Sequence, residues 1–429
     1  QIVAGLKRWE DQRNTTTEAA LYLPDRIVRL RSDQVGSVTA NNFRVIDELA
    51  NPLGVVPVVR LQNTDRILAD FGMRVIKVAP VRAHSAKQTD PVFHAYGAGR
   101  GTQRLQVDLK SEHGRALLQR VAAGVDVVIE SYRPGVAARL GMGWDDLHAI
   151  NPRLVVCSTS GYGQDGPYAQ WVGHDINYQA LSGYLACSAR DAEGNPALPG
   201  ATIADGAGGG MHAAMSILAA LLERGSSGQG KYLDVSVADG MLNLMSLYLD
   251  QYLATGEQTR PGSGVLTGKY AWYGIYATRD GKHLSVGAIE PHFFHKLCQL
   301  LGLEHFAQAQ YDAGAQDAMR AAFKAAFASD DRDAWVERLA AHDTCVAPVL
   351  SVAEVCADAH LRQRASFVEA VHPQRGRFEQ LAPLLAGCER GGPAHQVAPP
   401  GHTDTDAILR RAGVSADEIA AARREGCIE

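Results

Sequence analysis

An α/β architecture built on a parallel sheet is what this chain predicts, on two observations. Short β-branched or aliphatic runs at 55–61, 74–78, 126–130 and 154–158 alternate with helical stretches such as 114–121 and 145–150, the order of strands covered by crossover helices. Glycine-containing turns then follow a strand or open a helix, at Glu130-Ser-Tyr-Arg-Pro-Gly135 and at Asp205 with the glycines of 206–210. In parallel sheets such turns at the carboxyl ends of strands are where ligands bind.

The bulk properties set the frame. At 429 residues the chain exceeds one ordinary core, and about two to three domains are expected. A content of 46% hydrophobic and 21% charged residues is that of an ordinary globular protein. The net charge of −5 gives no basic footprint for nucleic acid or an anionic membrane surface. The 7 cysteines are scattered and never in a C-x-x-C spacing, which speaks against a zinc site or disulfide framework and for reduced thiols. No apolar run reaches transmembrane length, and the N-terminus lacks the charged-then-apolar order of a signal peptide. The expectation is a cytoplasmic protein with no metal, no nucleic-acid partner and no membrane partner.

Taken in order, residues 1–51 are a polar, poorly periodic leader with no assignable chemistry. The strand–helix alternation follows, with Pro134 and Gly135 opening the segment that carries Arg139. After 206–210, Met211, Met215, Leu218 and Leu222 recur at helical spacing. Gly225 is expected to stop that helix, and Gly228 and Gly230 to lead into a strand at 232–237. Asp205 is thereby expected just before a helix N-terminus, where backbone N–H groups favour an anion. Residues 239–274 predict a long helix and a glycine-rich connection, and 273–286 a hairpin turned by Arg279-Asp280-Gly281. The stretch 316–341 is helical and amphipathic, and the tail predicts helices at 404–412 and 415–424.

Three words end in a group that can move a proton: Gly173-His-Asp-Ile-Asn-Tyr178, Ala204-Asp-Gly-Ala-Gly-Gly-Gly210 and Gly287-Ala-Ile-Glu-Pro291. They offer His174, Asp205 and Glu290. Proton exchange at carbon needs one acid/base on each face and a group that orients the imidazole. Singly each has a plainer reading. One histidine among 15 is more often structural. Asp205 is first of all a helix cap, and so is Glu290 before Pro291. Their force lies in occurring together.

With Gly161-Tyr-Gly-Gln-Asp-Gly-Pro167, Ser227-Gly-Gln-Gly230, Cys345-Val-Ala-Pro-Val-Leu350 and Gly401-His-Thr-Asp404, these words come in an order that resembles the α-methylacyl-CoA racemases of the family III CoA-transferase (CaiB/BaiF-type) superfamily, from about Pro52 onward. The resemblance implies a Rossmann-like large domain at 52–238, a linker at 239–274, a smaller α+β domain at 275–362 and a return to the large domain at 363–429. It also implies an interlocked homodimer with a site between the two chains. His174 and Asp205 would be the proton-transfer groups and Glu290 the partner that orients His174. The backbone around 206–210 would offer donors for an enolate oxygen, and Asp175 would either assist His174 or be a buried polar support. The substrate would be an acyl-CoA thioester and no separate cofactor is implied, since CoA is part of that substrate. Arg139 and Lys110 match positions that face CoA, with Lys77 and Arg82 weaker candidates for the 3′-phosphate end.

The resemblance has two departures. The segment 61–70 runs from strand to helix without the usual glycine- and proline-rich turn on the CoA side. Thr267-Gly-Lys-Tyr-Ala-Trp272 stands where the racemase branch tends to have Gly-Gly-Ala-Pro; its aromatics either reshape the acyl pocket or pack in the linker. Two other readings stay open. One is a CoA-transferase with Asp205 as acyl-accepting nucleophile. The other is an acyl-CoA-binding protein whose catalysis is altered.

Overall fold

The computed structural model describes residues 18–23, 26–31, 54–57, 64–81, 93–399 and 401–429. Arg82, and residues 61–63 at the start of the shortened segment, lie outside the described residues. The leader contributes an antiparallel hairpin of β1 (Glu18–Leu23) and β2 (Arg26–Arg31).

Six strands form the main sheet: β3 (Gly54–Pro57), β4 (Arg74–Ala79), β5 (Thr102–Gln106), β6 (Val127–Glu130), β7 (Val155–Ser160) and β8 (Tyr232–Ser236). Their order is β5-β4-β3-β6-β7-β8, and every neighbouring pair is parallel. Counted from the first strand of the sheet this is 3-2-1-4-5-6, a doubly wound order whose direction of winding reverses between β3 and β6. The expected parallel sheet is present, and β6 and β7 explain its two-sided burial. Val127, Val128, Ile129, Val155, Val156 and Cys157 are all buried, a continuous apolar run rather than an alternating one.

Alternate residues of those strands face different cores. Val128 and Val156 pack with Leu117, Leu118 and Val121 of the helix Glu112–Ala123 and with Ile408, Leu409, Ile419 and Ile428 of the tail. Val127, Ile129 and Val155 pack with Ala213, Ala214, Ile217 and Leu221 of the helix His212–Ser227. That second helix corrects one sequence expectation. It runs past Gly225 and ends at Gly228, whose φ of 72° suits glycine. Its buried face is the alanine-rich one, while Met211, Met215 and Leu222 point outward and are exposed.

The expected long helix after β8 is two, Val237–Leu244 and Ser246–Thr255, hinged at Met245. Beyond them β9 (Tyr273–Ala277) and β10 (His283–Gly287) form the expected hairpin through Gly281, and β11 (Val346–Pro348) completes an antiparallel sheet of order β11-β10-β9. The helical stretch at 316–341 divides into Gln316–Phe327 and Arg332–Leu339. Trp272, Tyr276, Phe294, Phe323, Phe327 and Trp335 fill this unit's core. Trp272 is fully buried and donates from Nε1 to the Gln310 carbonyl at 2.8 Å, with Tyr270 stacked on it at 4.7 Å. These aromatics pack the small unit.

A further sheet, absent from the sequence reading, has the order β13-β12-β14, from β12 (Phe367–His372), β13 (Gly376–Leu381) and β14 (His395–Gln396). The tail then lies against β5: the Asp404 amide donates to the Arg104 carbonyl at 2.8 Å, and Val107 bridges Ile428.

Candidate active site

The carboxyl ends of β6 and β7, next to the winding reversal, open into a cavity of about 420 Å³. The turn after β6 supplies Ser131, Tyr132, Arg133 and Pro134 to its wall; the end of β7 supplies Ser160 and Gly161; the following loop supplies Ala169, Trp171, Val172, Gly173 and His174, with Asn177 and Tyr178 behind. One side is therefore aromatic. Tyr168 stacks on Trp171 at 4.0 Å, and Tyr162 meets Tyr178 edge-on at 5.2 Å.

His174 is the exposed N-cap residue of the helix Asp175–Leu181, and its amide donates to Asn177 Oδ1 at 2.9 Å. Tyr178, one turn on, is buried and donates its hydroxyl to the Gly173 carbonyl at 2.7 Å. Two glycines of the motif words make room for that ring. A Cβ on Gly161 would lie 2.4 Å from Tyr178 Cε1, and one on Gly173 2.9 Å from the same atom. Burial first, then the nearby Asp205, Tyr162 and Asp175, push the Tyr178 hydroxyl up to about 12, so it stays protonated and holds the loop.

Asp205 is not in front of a helix, as the sequence led us to expect, but inside a π-helical turn, Ala204–Met211, that runs directly into His212–Ser227. Its amide donates to Asp175 Oδ1 at 2.8 Å, and Asp175 Oδ2 also accepts from Gln179 Nε2. Asp175 is thus a tether between the His174 helix and the Asp205 turn, which favours the support role over the assisting one. Burial, and then the like charge of Asp175, raise the Asp205 carboxyl above its ordinary range, while His174 lies close enough to oppose the rise. His174, Asp175, Tyr178 and Asp205 are therefore brought together. Asp205 stands outside the described lining of the cavity, beside Tyr178.

The glycine run has a different task from the expected oxyanion site. The Gly206 amide is taken by the Thr202 carbonyl at 2.9 Å, and Gly208, Gly209 and Gly210 are buried. A Cβ on Gly240 would stand 2.0 Å from the Gly208 oxygen. The glycines let the turn carrying Asp205 pack backbone to backbone on the helix Val237–Leu244.

The other sequence-predicted residues are dispersed. Glu290 is the N-cap residue of Pro291–Leu301, without a side-chain cap bond. Among the described residues its carboxylate makes no hydrogen bond or ion pair, and it adds to the rise of the Cys345 thiol, which burial raises first. Within one chain it makes no hydrogen bond or ion pair with His174 among the described residues. Arg139 ends the one-turn helix Val136–Arg139 and is exposed. Lys110 is exposed, with its amide on Asp108 Oδ1 at 3.0 Å. Lys77 is taken up structurally, paired with Asp65 and donating to the Ala98 carbonyl at 3.0 Å. Arg133, which the sequence reading passed over, is the arginine in the cavity wall. Its signal was its place directly after a strand end. Tyr178 was legible as the residue one helical turn after His174.

The family model for CoA-transferase family III matches residues 58–405, and the chain belongs to that family. It is 35% identical to alpha-methylacyl-CoA racemase of Homo sapiens over 355 residues, which cover 82% of this chain and 90% of that protein. It is 29% identical to succinyl-CoA–D-citramalate CoA-transferase of Chloroflexus aurantiacus over 360 residues, covering 77% and 86%. A CaiB/BaiF family protein from Brucella suis has a similar fold, with a TM-score of 0.67, 25% identity and coverage of 85% and 98%. A hypothetical protein from Mycobacterium tuberculosis gives a TM-score of 0.68 at 25% identity, covering 84% and 99%. Relatives with racemase and with transferase names thus share one enzyme family and one mixed α/β fold with this chain. No helix among the described residues is long and apolar enough to cross a membrane.

Proposed function

We propose that this chain is an isomerase that racemises or epimerises 2-methyl-branched, or otherwise 2-substituted, acyl-CoA thioesters by moving the α-proton through an enolate. The observation that carries the reading is the half-buried Asp205 carboxyl, raised by burial and by Asp175, set beside His174 on a separately tethered element. A thioester α-C–H is a weak acid, so the base that takes its proton and the acid that returns one must be positioned and must titrate near the working pH. Burial moves Asp205 toward that range, and His174 supplies the second acid/base on the neighbouring helix. One group takes the proton from its face, the other delivers one to the opposite face, and the centre inverts. The first-turn amides of Asp175 and Ile176, for which no partner is found among the described residues, are free to donate to an enolate oxygen beside His174.

The position of Glu290 fits a homodimer in which it reaches His174 of a second copy. The outward Met211, Met215 and Leu222, with Leu242, Leu247 and Leu253 on the next two helices, give that copy an apolar face to cover. An interlocked pair of chains, each with a Rossmann-like large domain, satisfies both. Arg139 and Lys110 are exposed and available for CoA phosphates. The test is solvent exchange. An isomerase places deuterium from D₂O at the α-carbon of a 2-methylacyl-CoA with no acceptor acid present. No exchange, together with an acyl group that hydroxylamine releases from Asp205, replaces this reading by CoA transfer.

A further inference from the structure

At the end of β6, where the chain enters the cavity wall at Ser131, stands a titratable group that the proposed chemistry does not use. Glu130 is the last residue of β6 and only 4% exposed. Its Oε2 accepts the Tyr132 amide at 2.7 Å, so the carboxylate folds back on the turn that leaves its own strand. That turn, Ser131 to Pro134, forms one wall of the cavity and carries Arg133, whose guanidinium makes no hydrogen bond or ion pair among the described residues. Burial pushes the Glu130 carboxyl up, against the pull of the Ser158 hydroxyl and the Tyr132 amide. An ionisable group kept at a strand end in spite of that burial penalty needs a reason, and a packed apolar residue would fill the space without it.

We propose that Glu130 is a positioning residue for ligand binding: by holding the Tyr132 amide it fixes the Ser131–Pro134 wall and aims Arg133 at the anionic part of the ligand. The identity of that ligand as a CoA thioester rests on the function proposed above; the positioning role does not. A strand end is stiff and a turn is not, so a buried acceptor attached to the strand is the means of transmitting register to the turn. The substitution Glu130→Gln would keep an acceptor oxygen at the same reach, whereas Glu130→Ala or Glu130→Leu would remove it. Leucine would also fill the volume, which separates loss of the hydrogen bond from loss of packing.

The experiment uses Glu130→Gln, Glu130→Ala and Glu130→Leu in the full chain, with two readouts. The first is the Kd for free CoA by calorimetry, with pantetheine, which lacks the phosphates, as the second arm. The Ala and Leu variants are expected to weaken CoA binding by about tenfold, as loss of one buried hydrogen bond does. The Gln variant is expected to stay near wild type. A weaker effect on pantetheine than on CoA assigns the anion to the CoA phosphates, and an equal effect assigns the turn to the pantetheine arm and removes the phosphate role of Arg133. The second readout is hydrogen exchange at the Tyr132 amide without ligand, expected to accelerate in the Ala and Leu variants and to be restored in the Gln variant. Wild-type CoA affinity in Glu130→Leu, or unchanged exchange at Tyr132, overturns the positioning role. If the wild type itself does not bind CoA, the CoA reading fails and the exchange measurement still decides the role of Glu130. If Glu130→Ala does not fold, Glu130→Leu carries both comparisons.

Discussion

Asp205 gives the residue-scale account a sign. Its carboxyl titrates above its ordinary 3.8 in the folded chain, through burial first and Asp175 second. The folded state therefore holds that proton more tightly than the unfolded state does. The resulting stability is fully present below 3.8 and is lost as pH rises through the higher folded value. Asp205→Asn, neutral throughout, is expected to melt at a higher temperature than wild type near neutral pH, with the difference shrinking as pH falls toward 3.8, while activity is lost. Equal melting temperatures across that window would remove the burial argument for Asp205. A second residue-scale prediction concerns Gly161. Its added methyl would meet Tyr178 at 2.4 Å, so Gly161→Ala should destabilise by about 1–3 kcal/mol and break the Tyr178 bond to Gly173, measured by denaturant melts and a fall in activity together.

At the scale of elements, the site is two local pieces joined by one bond. The helix Asp175–Leu181 presents His174, the π-helical turn presents Asp205, and Asp175 joins them. The turn is in its place because Gly208 meets Gly240 without side chains. Gly240→Ala is accordingly expected to disturb the Asp205 turn from a distance, lowering stability by roughly 1–3 kcal/mol or more and slowing proton exchange; a variant with wild-type stability would contradict the packing described. The words around His174 and Asp205 were legible in the sequence because each is local. The tether was not, since a side-chain bond to an amide 30 positions away leaves no periodic trace. The stripe of Met211, Met215 and Leu222 shows the other limit. Spacing reveals that a helix has an apolar face, but not whether the core or another surface covers it, and here the core took the alanines instead. The sheet of β12, β13 and β14 escaped notice because β14 is only two residues long and β13 is polar.

The whole molecule raises the question of where Glu290 acts. In one chain it caps a helix of the small unit and makes no hydrogen bond or ion pair with His174 among the described residues, and the large unit exposes an apolar face on its helices. Both follow if two copies share the site. Co-expressed His174→Ala and Glu290→Gln chains should then form mixed dimers with one intact site each, with more activity than either variant alone. No recovery would place Glu290 and His174 on the same chain or outside the chemistry. The doubly wound sheet itself was legible from the strand–helix alternation, because parallel strands buried on both faces need unbroken apolar runs. The position of Glu290 was not, because it depends on contacts between chains.

The most direct measurement of the two-base account is α-deuterium wash-in on separated enantiomers of a 2-methylacyl-CoA, using wild type, His174→Ala, Asp205→Asn and Glu290→Gln, each first shown to be folded. His174→Ala should slow exchange most for one enantiomer and Asp205→Asn most for the other, by on the order of 10²–10⁴-fold. Glu290→Gln should give a milder form of the His174 defect. Wild-type exchange of both enantiomers by His174→Ala would contradict the mechanism.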